Sequence, residues 1–401
     1  MTTSNNTSLQ GLKVLDLCRF ISGPFCAMQL GDLGADVVKV ERKDLGEDTR
    51  VVPPMIEGES LYVMMYNRNK RGLALDFRHP EALGVLKDLA TQCDVLVENF
   101  RPGTLEAMGL GWDVLHALNP RLVVVRISGF GQDGPIANRP CFDVIAQASS
   151  GLMSMTGAAG GPPTMAGTFI VDYATGLYGV IGTLAALKAR ERTGIGQVVD
   201  VSLLDSAVSF LMTAIPEFLL LGRETRRNGT RDRYVAPANN YQSGDGEWVH
   251  ISAGTDALFP RFAKAAGMPG LLDDPRFASM ATRLQNVEAV EAEVSKFAAR
   301  HTAEEIVVSM EKAGVPCAKV ARISDVVANP QLRHRNQIIE VDVPKVGKIP
   351  MQGLTIKLSD TPTSIRRPPP RIGEHTDQVL ADWAGYGTEK IAALRSAGAI
   401  Q

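Results

Sequence analysis

The feature that most constrains the fold of this chain is a regular alternation of short apolar runs with amphipathic segments between residues 11 and 200. Such alternation is typical of parallel strands, because each intervening helix carries the chain back across the sheet. The pattern predicts strands over residues 11–17, 36–42, 72–77, 94–100 and 121–128, and helices over residues 24–35, 80–93 and 104–118. This order favours an α/β fold built on a parallel, doubly wound sheet.

The clearest helix is predicted over residues 173–190, where apolar residues recur at spacings of three and four from Leu177 to Leu187. A stripe of small residues would let another backbone approach this helix closely, and it consists of Gly176, Gly179 and Gly182. A strand over residues 197–201 and a long apolar stretch, residues 202–222, follow. Because Asp205, Pro216 and Glu217 interrupt that stretch, we interpret it as a buried helix and not as a membrane span.

The chain changes character after the polar, arginine-rich run at residues 223–233, which we interpret as a linker. A strand over residues 248–252 and three helices over residues 258–266, 287–299 and 303–313 are predicted next. With 401 residues the chain has room for about two or three domains. We therefore expect a large domain over residues 1–222, a small α+β domain over residues 235–325 and a C-terminal segment over residues 330–401.

Overall composition excludes several classes of function. A net charge of −2 argues against a nucleic-acid-binding protein, which usually has a basic excess. The five cysteines are isolated in sequence, and the first ten residues lack the features of a signal peptide. These observations favour a reducing compartment, the cytoplasm. The six histidines include no pair at metal-ligand spacing, so we expect no metal site.

A glycine motif after the fifth predicted strand imitates a dinucleotide-binding loop. Gly129, Gly131 and Gly134 match the GxGxxG pattern. The nucleotide-binding version needs a helix that opens on the glycines and an acidic residue about 20 positions later. Here Pro135 and Pro140 delay the helix, and no acidic residue lies near position 150. We therefore interpret the motif as a glycine-rich loop at the carboxyl end of a strand.

Basic residues follow three of the predicted strands. Arg42 ends the second strand, Arg78 follows the third, and Asn99 and Arg101 lie at the end of the fourth. If the strands share one direction, the three arginines lie at one edge of the sheet and favour a ligand with several phosphates. Each arginine is otherwise an ordinary solvated surface charge.

Asp172 lies where an apolar run gives way to the predicted helix over residues 173–190. One interpretation is structural, because Asp is a favoured N-cap residue. The other is functional: the positive helix end would keep a partly buried carboxylate ionised, and removal of its hydration would increase its reactivity as a nucleophile.

Several motifs, taken together and in order, resemble those of the class III CoA-transferases, also called the CaiB–BaiF family. They are residues 11–17 (GLKVLDL), 23–24 (GP), 31–41 (GDLGADVVKVE), 69–71 (NKR), 98–103 (ENFRPG) and 373–376 (GEHT). The resemblance covers nearly the whole chain. It implies a Rossmann-like large domain completed by the C-terminal segment, a small domain, and a homodimer whose two chains interlock like linked rings.

The resemblance also implies the site residues. The nucleophile of the family falls on Asp172. The CoA contacts fall on Ile21, Ser22, Arg42, Leu75, Arg78, Asn99, Phe100, Arg101, Met108 and Phe142. The formyl-CoA branch has Gln where this chain has Ile21, a glycine-rich loop where it has the turn over residues 243–246, and Arg where it has Ala107. The first two departures argue against oxalate or formate as the substrate, and the third suggests that Arg101 supplies one CoA contact instead. The sequence looks most like the branch that transfers CoA from succinyl-CoA to dicarboxylic acids.

The expected activity is therefore CoA transfer from an acyl-CoA to a carboxylic acid through a covalent intermediate on Asp172. CoA takes part as a piece of the substrate, and no permanently bound cofactor, metal, nucleic acid or membrane partner is expected. An alternative is a racemase of 2-methylacyl-CoA, but its catalytic His would fall on Phe142, which cannot accept a proton. Another is a CoA-binding protein without catalysis. Arg50, Arg226 and Arg231 are candidates to hold a second substrate carboxylate, or are solvated surface charges.

Overall fold

A computed structural model describes residues 6–401, which form two compact units. The first unit contains residues 6–152, 165–216 and 331–401, and the second contains residues 153–164 and 217–330. The strands are β1 Lys13–Asp16, β2 Asp36–Arg42, β3 Met55–Ile56, β4 Glu59–Ser60, β5 Lys70–Leu75, β6 Val95–Glu98, β7 Val123–Ser128, β8 Val198–Ser202, β9 Ala238–Gln242, β10 Trp248–Ser252, β11 Cys317–Lys319, β12 Ile338–Val343 and β13 Gly347–Gln352.

The α-helices occur in both units. They are α1 Ser22–Asp32, α2 Leu61–Met65, α3 Pro80–Gln92, α4 Thr104–Ala107, α5 Trp112–Leu118, α6 Asp143–Ser149, α7 Leu152–Met155, α8 Ile170–Thr193, α9 Leu203–Val208, α10 Ala214–Leu221, α11 Phe259–Ala265, α12 Met280–Gln285, α13 Val287–Ala298, α14 Ala303–Lys312, α15 Ile323–Ala328, α16 Pro330–His334, α17 Thr376–Ala384 and α18 Thr388–Ser396.

The first unit is built on a six-stranded sheet with the order β5-β2-β1-β6-β7-β8. Every neighbouring pair in this sheet is parallel, which confirms the predicted α/β fold. The central strands are buried on both faces and are rich in valine, as in β6 and β7, because helices cover both sides. The chain passes from β1 outward to β2 and β5, and then returns to β6 on the other side of β1. The carboxyl ends of β1 and β6 therefore flank the switch point, where α/β proteins bind ligands.

Two apolar cores lie on the two faces of this sheet. One contains Leu86 and Leu89 of α3 with Trp383 of α17, and the other contains Leu30 of α1 with Val180 of α8. Residues 331–401 belong to the same unit as the sheet. Near its end this segment forms an isolated bridge between Ile400 and Leu75, which extends the cover over the β5 edge.

Two predicted helices differ from the structure. The helix predicted over residues 104–118 is divided into α4 and α5, because Gly109 adopts a left-handed conformation with φ +70° that ends the first. The prediction of one buried helix over residues 202–222 is wrong. That stretch forms the short helices α9 and α10, and α10 has no buried residue, with Leu220 80% exposed.

Among the described residues, α8 is the one helix long and apolar enough to cross a membrane by length and composition. A core helix passes the same test, and one face of α8 is buried, including Thr175, Gly179 and Thr183.

The second unit contains a three-stranded antiparallel sheet with the order β11-β10-β9. Its core combines Val249 and Ile251 of β10 with aromatic residues of α11 and α13, such as Phe262 and Phe297. The buried guanidinium of Arg283 donates to three backbone carbonyls and lies against the ring of Phe259. These hydrogen bonds compensate for the loss of hydration of the guanidinium group within an apolar core.

Candidate active site

The site begins with an unusually close approach of α1 to α8. A Cβ atom on Gly176 would lie 2.8 Å from the backbone carbonyl oxygen of Ser22, and one on Gly179 would lie 3.0 Å from Sγ of Cys26. A Cβ on Gly182 would lie 2.5 Å from a side-chain atom of Val199 on β8. The glycine stripe predicted from the sequence therefore does bring another backbone against α8, and it places the start of α1 beside the first turn of α8.

Asp172 is the third residue of α8 and is half-buried. It is not the N-cap, so the capping interpretation is wrong: Phe169 holds that position and provides no side-chain cap. The cap comes from Asp143, at the start of α6. One carboxylate oxygen of Asp143 accepts hydrogen bonds from the backbone N–H groups of Val171 at 2.7 Å and of Asp172 at 3.0 Å. The other accepts one from Gln147 at 2.5 Å.

The environment of Asp172 raises the pKa of its carboxyl group from the usual 3.8 to about 7. Burial is the main cause and the negative charge of Asp143 adds to it, whereas the hydroxyl group of Ser22 interacts with the carboxylate and lowers the pKa. The expectation that the helix end keeps the carboxylate ionised is therefore corrected, because at a pKa of about 7 part of the group is protonated at neutral pH. The N–H groups that would stabilise the charge are already occupied by Asp143.

A cavity of about 300 Å³ opens beside Asp172 at the switch point of the sheet. Five of the residues expected to contact CoA line it together with Asp172, namely Ser22, Asn99, Phe100, Arg101 and Phe142. Phe142 is 60% exposed, and its ring lies edge-on to that of Phe20, with the ring centroids 5.2 Å apart. No histidine among the described residues lines this cavity.

A second cavity of about 240 Å³ lies at the carboxyl ends of β1 and β2. Its lining is mostly apolar and includes Phe77, Phe100 and the expected contact Met108, with the expected contact Arg42 also in its wall. Phe100 lines both cavities.

The three other expected CoA contacts lie in neither lining. Ile21 and Leu75 are buried below the surface, whereas Arg78 is exposed just after β5. Because the sheet is parallel, Arg42, Arg78 and Arg101 follow strands that end at the same edge.

The turn between β1 and α1 is held by buried charges that the sequence analysis did not assign. The backbone N–H of Cys18 donates to Asp16, and the N–H of Phe20 donates to Glu47. Lys39 donates to the carbonyl of Cys18 at 2.5 Å and pairs with Glu47 at 3.1 Å. Phe20 adopts a left-handed conformation with φ +65°, which costs a non-glycine residue energy. The charged partners keep this strained turn in place.

Lys70 fixes the next part of the turn. Its ammonium group pairs with Asp16 at 2.8 Å, and it donates to the side chain of Asn67 and to the carbonyl of Pro24 inside α1. Burial lowers the pKa of Lys70, while Asp16 counteracts that effect. Burial alone would raise the pKa of Asp16, but Lys70 and Lys39 outweigh it, so that pKa is lowered. Lys70 therefore joins β5 to the end of β1 through Asp16 and to α1 through Pro24.

Asn99 joins the two loops at the switch point. Its side chain accepts a hydrogen bond from the N–H of Arg19 at 2.8 Å and donates one to the carbonyl of Arg19 at 2.7 Å. The guanidinium group of Arg19 pairs with Asp48 at 3.0 Å. The loops after β1 and β6 are thereby locked together beside the cavity.

Backbone N–H groups are available at the start of α1 and after β7, but not at the start of α8. Within residues 6–401, the N–H groups of Ile21, Ser22, Gly23 and Gly129 have no hydrogen-bond acceptor. The N–H of Gly131 is occupied by the hydroxyl group of Ser128. Any stabilisation of a negative oxygen beside Asp172 is thus better supplied by α1 or Gly129 than by α8.

Two of the arginines considered for a second substrate carboxylate are already paired. Arg50 is buried and binds Glu41 through two hydrogen bonds of 2.7 and 2.6 Å. Arg231, in the second unit, pairs with Glu291 at 2.7 Å. Arg226 is exposed and forms no ion pair among residues 6–401. Within the same described range, no group of three or more His, Cys, Asp or Glu residues could hold a metal ion.

Comparisons with known proteins agree on one family. The sequence pattern of CoA-transferase family III matches residues 9–376. The chain is 36% identical over 389 residues to succinyl-CoA–D-citramalate CoA-transferase of Chloroflexus aurantiacus, with 97% of each chain covered. It is 36% identical to human succinyl-CoA:glutarate CoA-transferase, over 99% of this chain and 91% of the human protein. The crystal structure of a CaiB/BaiF family protein from Brucella suis superimposes with a TM-score of 0.84 and 34% identity, covering 94% of this chain and 100% of the other.

Proposed function

This chain belongs to CoA-transferase family III, and we propose that it transfers CoA from succinyl-CoA to a dicarboxylic acid through a covalent intermediate on Asp172. One observation carries the proposal. A half-buried carboxylate with a pKa of about 7 lies in a cavity at the switch point of the sheet, together with five residues that the resemblance to this family assigns to CoA contacts.

The names of the relatives support the substrate class. The Chloroflexus enzyme and the human enzyme are both named for succinyl-CoA as donor and for an acceptor, citramalate or glutarate, that carries two carboxylates. Both match this chain over almost its whole length. We propose the same class of donor and acceptor for this chain, without choosing one acid.

In the proposed reaction a carboxylate oxygen of Asp172 attacks the thioester carbonyl of the donor. The C–S bond breaks, CoA leaves as the thiolate, and a mixed anhydride joins the donor acyl group to Asp172. The thiolate then attacks the aspartyl carbonyl, which releases the donor acid and leaves CoA on Asp172 as a thioester. The acceptor carboxylate attacks that thioester, and the expelled thiolate attacks the acceptor carbonyl of the new anhydride. The products are acceptor-CoA and the free Asp172 carboxylate.

The raised pKa of Asp172 fits a nucleophile, because it indicates a poorly solvated carboxylate of which a large fraction is still ionised at neutral pH. Poor solvation makes its oxygen more reactive, and at a pKa of about 7 a large fraction of the group is ionised at neutral pH. Each tetrahedral intermediate carries a negative oxygen. We assign its stabilisation to the free N–H groups of Ser22 and Gly23 at the positive end of α1.

We assign the adenine ring of CoA to the apolar second cavity. Phe77, Phe100 and Met108 supply flat or flexible apolar surface, and Arg42 lies in the same wall. The phosphates would then contact Arg42, Arg78 and Arg101 at the edge of the sheet, because guanidinium groups bind phosphate oxygens in pairs. Phe100, which lines both cavities, would separate the adenine from the reacting end of CoA.

We also propose that the active protein is a homodimer. Along α8, Leu177, Ile181 and Leu184 are 46%, 61% and 38% exposed, and they lie at helical spacing on one face. In the second unit, Phe218, Leu219 and Leu220 are 54–80% exposed. Such contiguous apolar surfaces mark sites of association in proteins, and a second copy is the partner that the family implies.

The experiment that tests the function combines activity with mass spectrometry. The protein is incubated with succinyl-CoA and a panel of mono- and dicarboxylic acids, and new acyl-CoA products and CoA adducts on Asp172 are measured. The proposal expects transfer to dicarboxylates and an adduct that disappears in Asp172→Ala, while Asp273→Ala, at an exposed position in the second unit, transfers as the parent does.

Two results would contradict the proposal. Exchange of the α-proton of a 2-methylacyl-CoA in deuterated water, without any acceptor acid, would indicate a racemase. Tight CoA binding without acid-dependent turnover would indicate a binding protein.

A further inference from the structure

Transfer of CoA to or from a dicarboxylic acid, the proposed function, raises a second chemical requirement. One carboxylate of the acid reacts at Asp172, and the other remains charged while the substrate is enclosed. An enclosed carboxylate without a partner is costly, and an arginine fork is the side chain best suited to bind it. The cavity beside Asp172 should therefore contain an arginine that no other group occupies.

Three arginines line that cavity: Arg19, Arg101 and Arg139. Arg19 is engaged, since it pairs with Asp48 at 3.0 Å and its guanidinium lies over the rings of Phe20 and Phe100. Arg101 follows β6 and is assigned above to the phosphates of CoA. Arg139 remains, and its side chain forms no ion pair or hydrogen bond within residues 6–401.

The loop that carries Arg139 is held at its base. It connects β7 to α6, and its two ends meet, because a Cβ on Gly129 would lie 2.2 Å from Cβ of Cys141. The N–H of Gly131 donates to Ser128, and the N–H of Arg139 donates to the carbonyl of Ile136. The backbone is thus positioned while the guanidinium group stays exposed and unpaired.

The remaining wall suits a short hydrocarbon chain. Phe142 and Phe20 present aromatic surface to the cavity, and Ile127 and Leu203 add aliphatic surface. An acid with a few methylene groups between its carboxylates would contact this surface.

We propose that Arg139 binds the carboxylate distal to the reacting one, and so makes the enzyme selective for dicarboxylic acids. The residue that selects dicarboxylic acids then lies in the same unit as Asp172. Arg50 and Arg231 do not bind the distal carboxylate, because each is already paired with a glutamate.

The test compares acids that differ only in the distal group. With succinyl-CoA as donor, kcat/KM is measured for glutarate and for its monocarboxylate counterpart valerate, in the parent, Arg139→Gln and Arg139→Lys. Arg300→Gln is the control, because Arg300 is an exposed residue of the second unit and forms no ion pair among residues 6–401. The affinity for CoA itself is measured by calorimetry.

We expect Arg139→Gln to reduce the glutarate-to-valerate ratio of kcat/KM by about 10- to 100-fold. Arg139→Lys should restore part of it, and the affinity for CoA should change less than about twofold.

Each other outcome overturns the proposal. An equal loss for both acids, or weaker CoA binding, would assign Arg139 to CoA, and an unchanged ratio would place it outside the acid site. Failure of the proposed function is distinct, because then the parent and Arg300→Gln would transfer CoA to neither acid.

Discussion

The carboxylate of Asp143 accepts a hydrogen bond of 3.0 Å from the backbone N–H of Asp172, the residue to which we assign the chemistry. Asp143 therefore occupies the N–H groups at the start of α8 that would otherwise stabilise the negative charge of Asp172. Burial is the main cause of the raised pKa of Asp172, and the charge of Asp143 raises it further. The same Asp143 holds the first turn of α8 in place, so position and reactivity both depend on this contact.

This contact predicts a pH dependence. The ionised form of Asp172 is the nucleophile, so kcat/KM should fall as the pH drops through about 7. Asp143→Asn keeps an oxygen that can accept from the helix but removes the negative charge. The acid limb should then shift downward by about one pH unit. Profiles measured from pH 5 to 9 check this, with Asp273→Asn as the control, and an unchanged limb would show that the charge of Asp143 has no influence.

The same pKa predicts that stability and activity depend on pH in opposite directions: activity increases as the pH rises through about 7, whereas the free energy of unfolding decreases. Between the ordinary carboxyl pKa of 3.8 and about 7, the unfolded chain releases a proton that the folded chain retains at Asp172. Folding therefore loses stability as the pH rises through that window. Asp172→Asn should abolish transfer but raise the free energy of unfolding at pH 8 by up to a few kcal/mol. The gain should be smaller at pH 5. Urea unfolding at both pH values measures it, and a variant less stable than the parent at pH 8 would contradict the assigned pKa.

The close approach of α1 and α8 predicts that Gly176→Ala damages the site. Its new methyl group would meet the carbonyl of Ser22 and the ring of Phe25 at 2.8 Å each. Because backbone cannot yield easily, α1 should shift and carry Ser22 away from Asp172. We expect kcat to fall by about tenfold or more and stability by about 1–3 kcal/mol. Gly84→Ala is the matched control, since Gly84 lies in the exposed middle of α3 with open space around it. That variant should be neutral or slightly stabilising.

The sequence predicted the sheet well, because each of its strands has a local signal. β2 and β10 begin and end where the pattern places them. The stripe of glycines on α8 likewise predicts a close contact, although it does not identify the partner helix. In contrast, Asp143 has no local signal for its role, since its partner lies 29 positions away and is fixed only by the packing of α6 against α8. For the same reason the local sequence pattern does not reveal the raised pKa of Asp172.

Lys39 shows that part of the missing information was present in the sequence. It interrupts the valine-rich run of β2, and a charge within a strand buried on both faces must be paired. Which carboxylates pair with it depends on the turn over residues 43–48, whose path no periodicity predicts. The sequence therefore predicts that buried ion pairs exist near the β1–α1 turn, but it does not predict which residues form them.

That network predicts a large stability effect. Lys70→Met would leave Asp16 buried without its 2.8 Å partner, and breaking a buried pair from one side costs about 3–5 kcal/mol. Asp16 also orders the turn through the N–H of Cys18, so kcat should fall together with stability. The double variant Asp16→Asn, Lys70→Met also removes the unpaired carboxylate of Asp16 and should recover part of the stability. A double-mutant cycle by urea unfolding measures the coupling, and additive effects would show that the pair contributes nothing.

The exposed face of α8 predicts the oligomeric state. We expect the parent to have the mass of a dimer by light scattering at micromolar concentration. Ile181→Glu should shift it toward the monomer, because a carboxylate in the centre of an apolar interface would be buried without a partner. Glu191→Gln changes an exposed residue near the end of the same helix and should leave the mass unchanged. A parent that is monomeric under these conditions would mean that the apolar face of Leu177, Ile181 and Leu184 is not covered by a second copy.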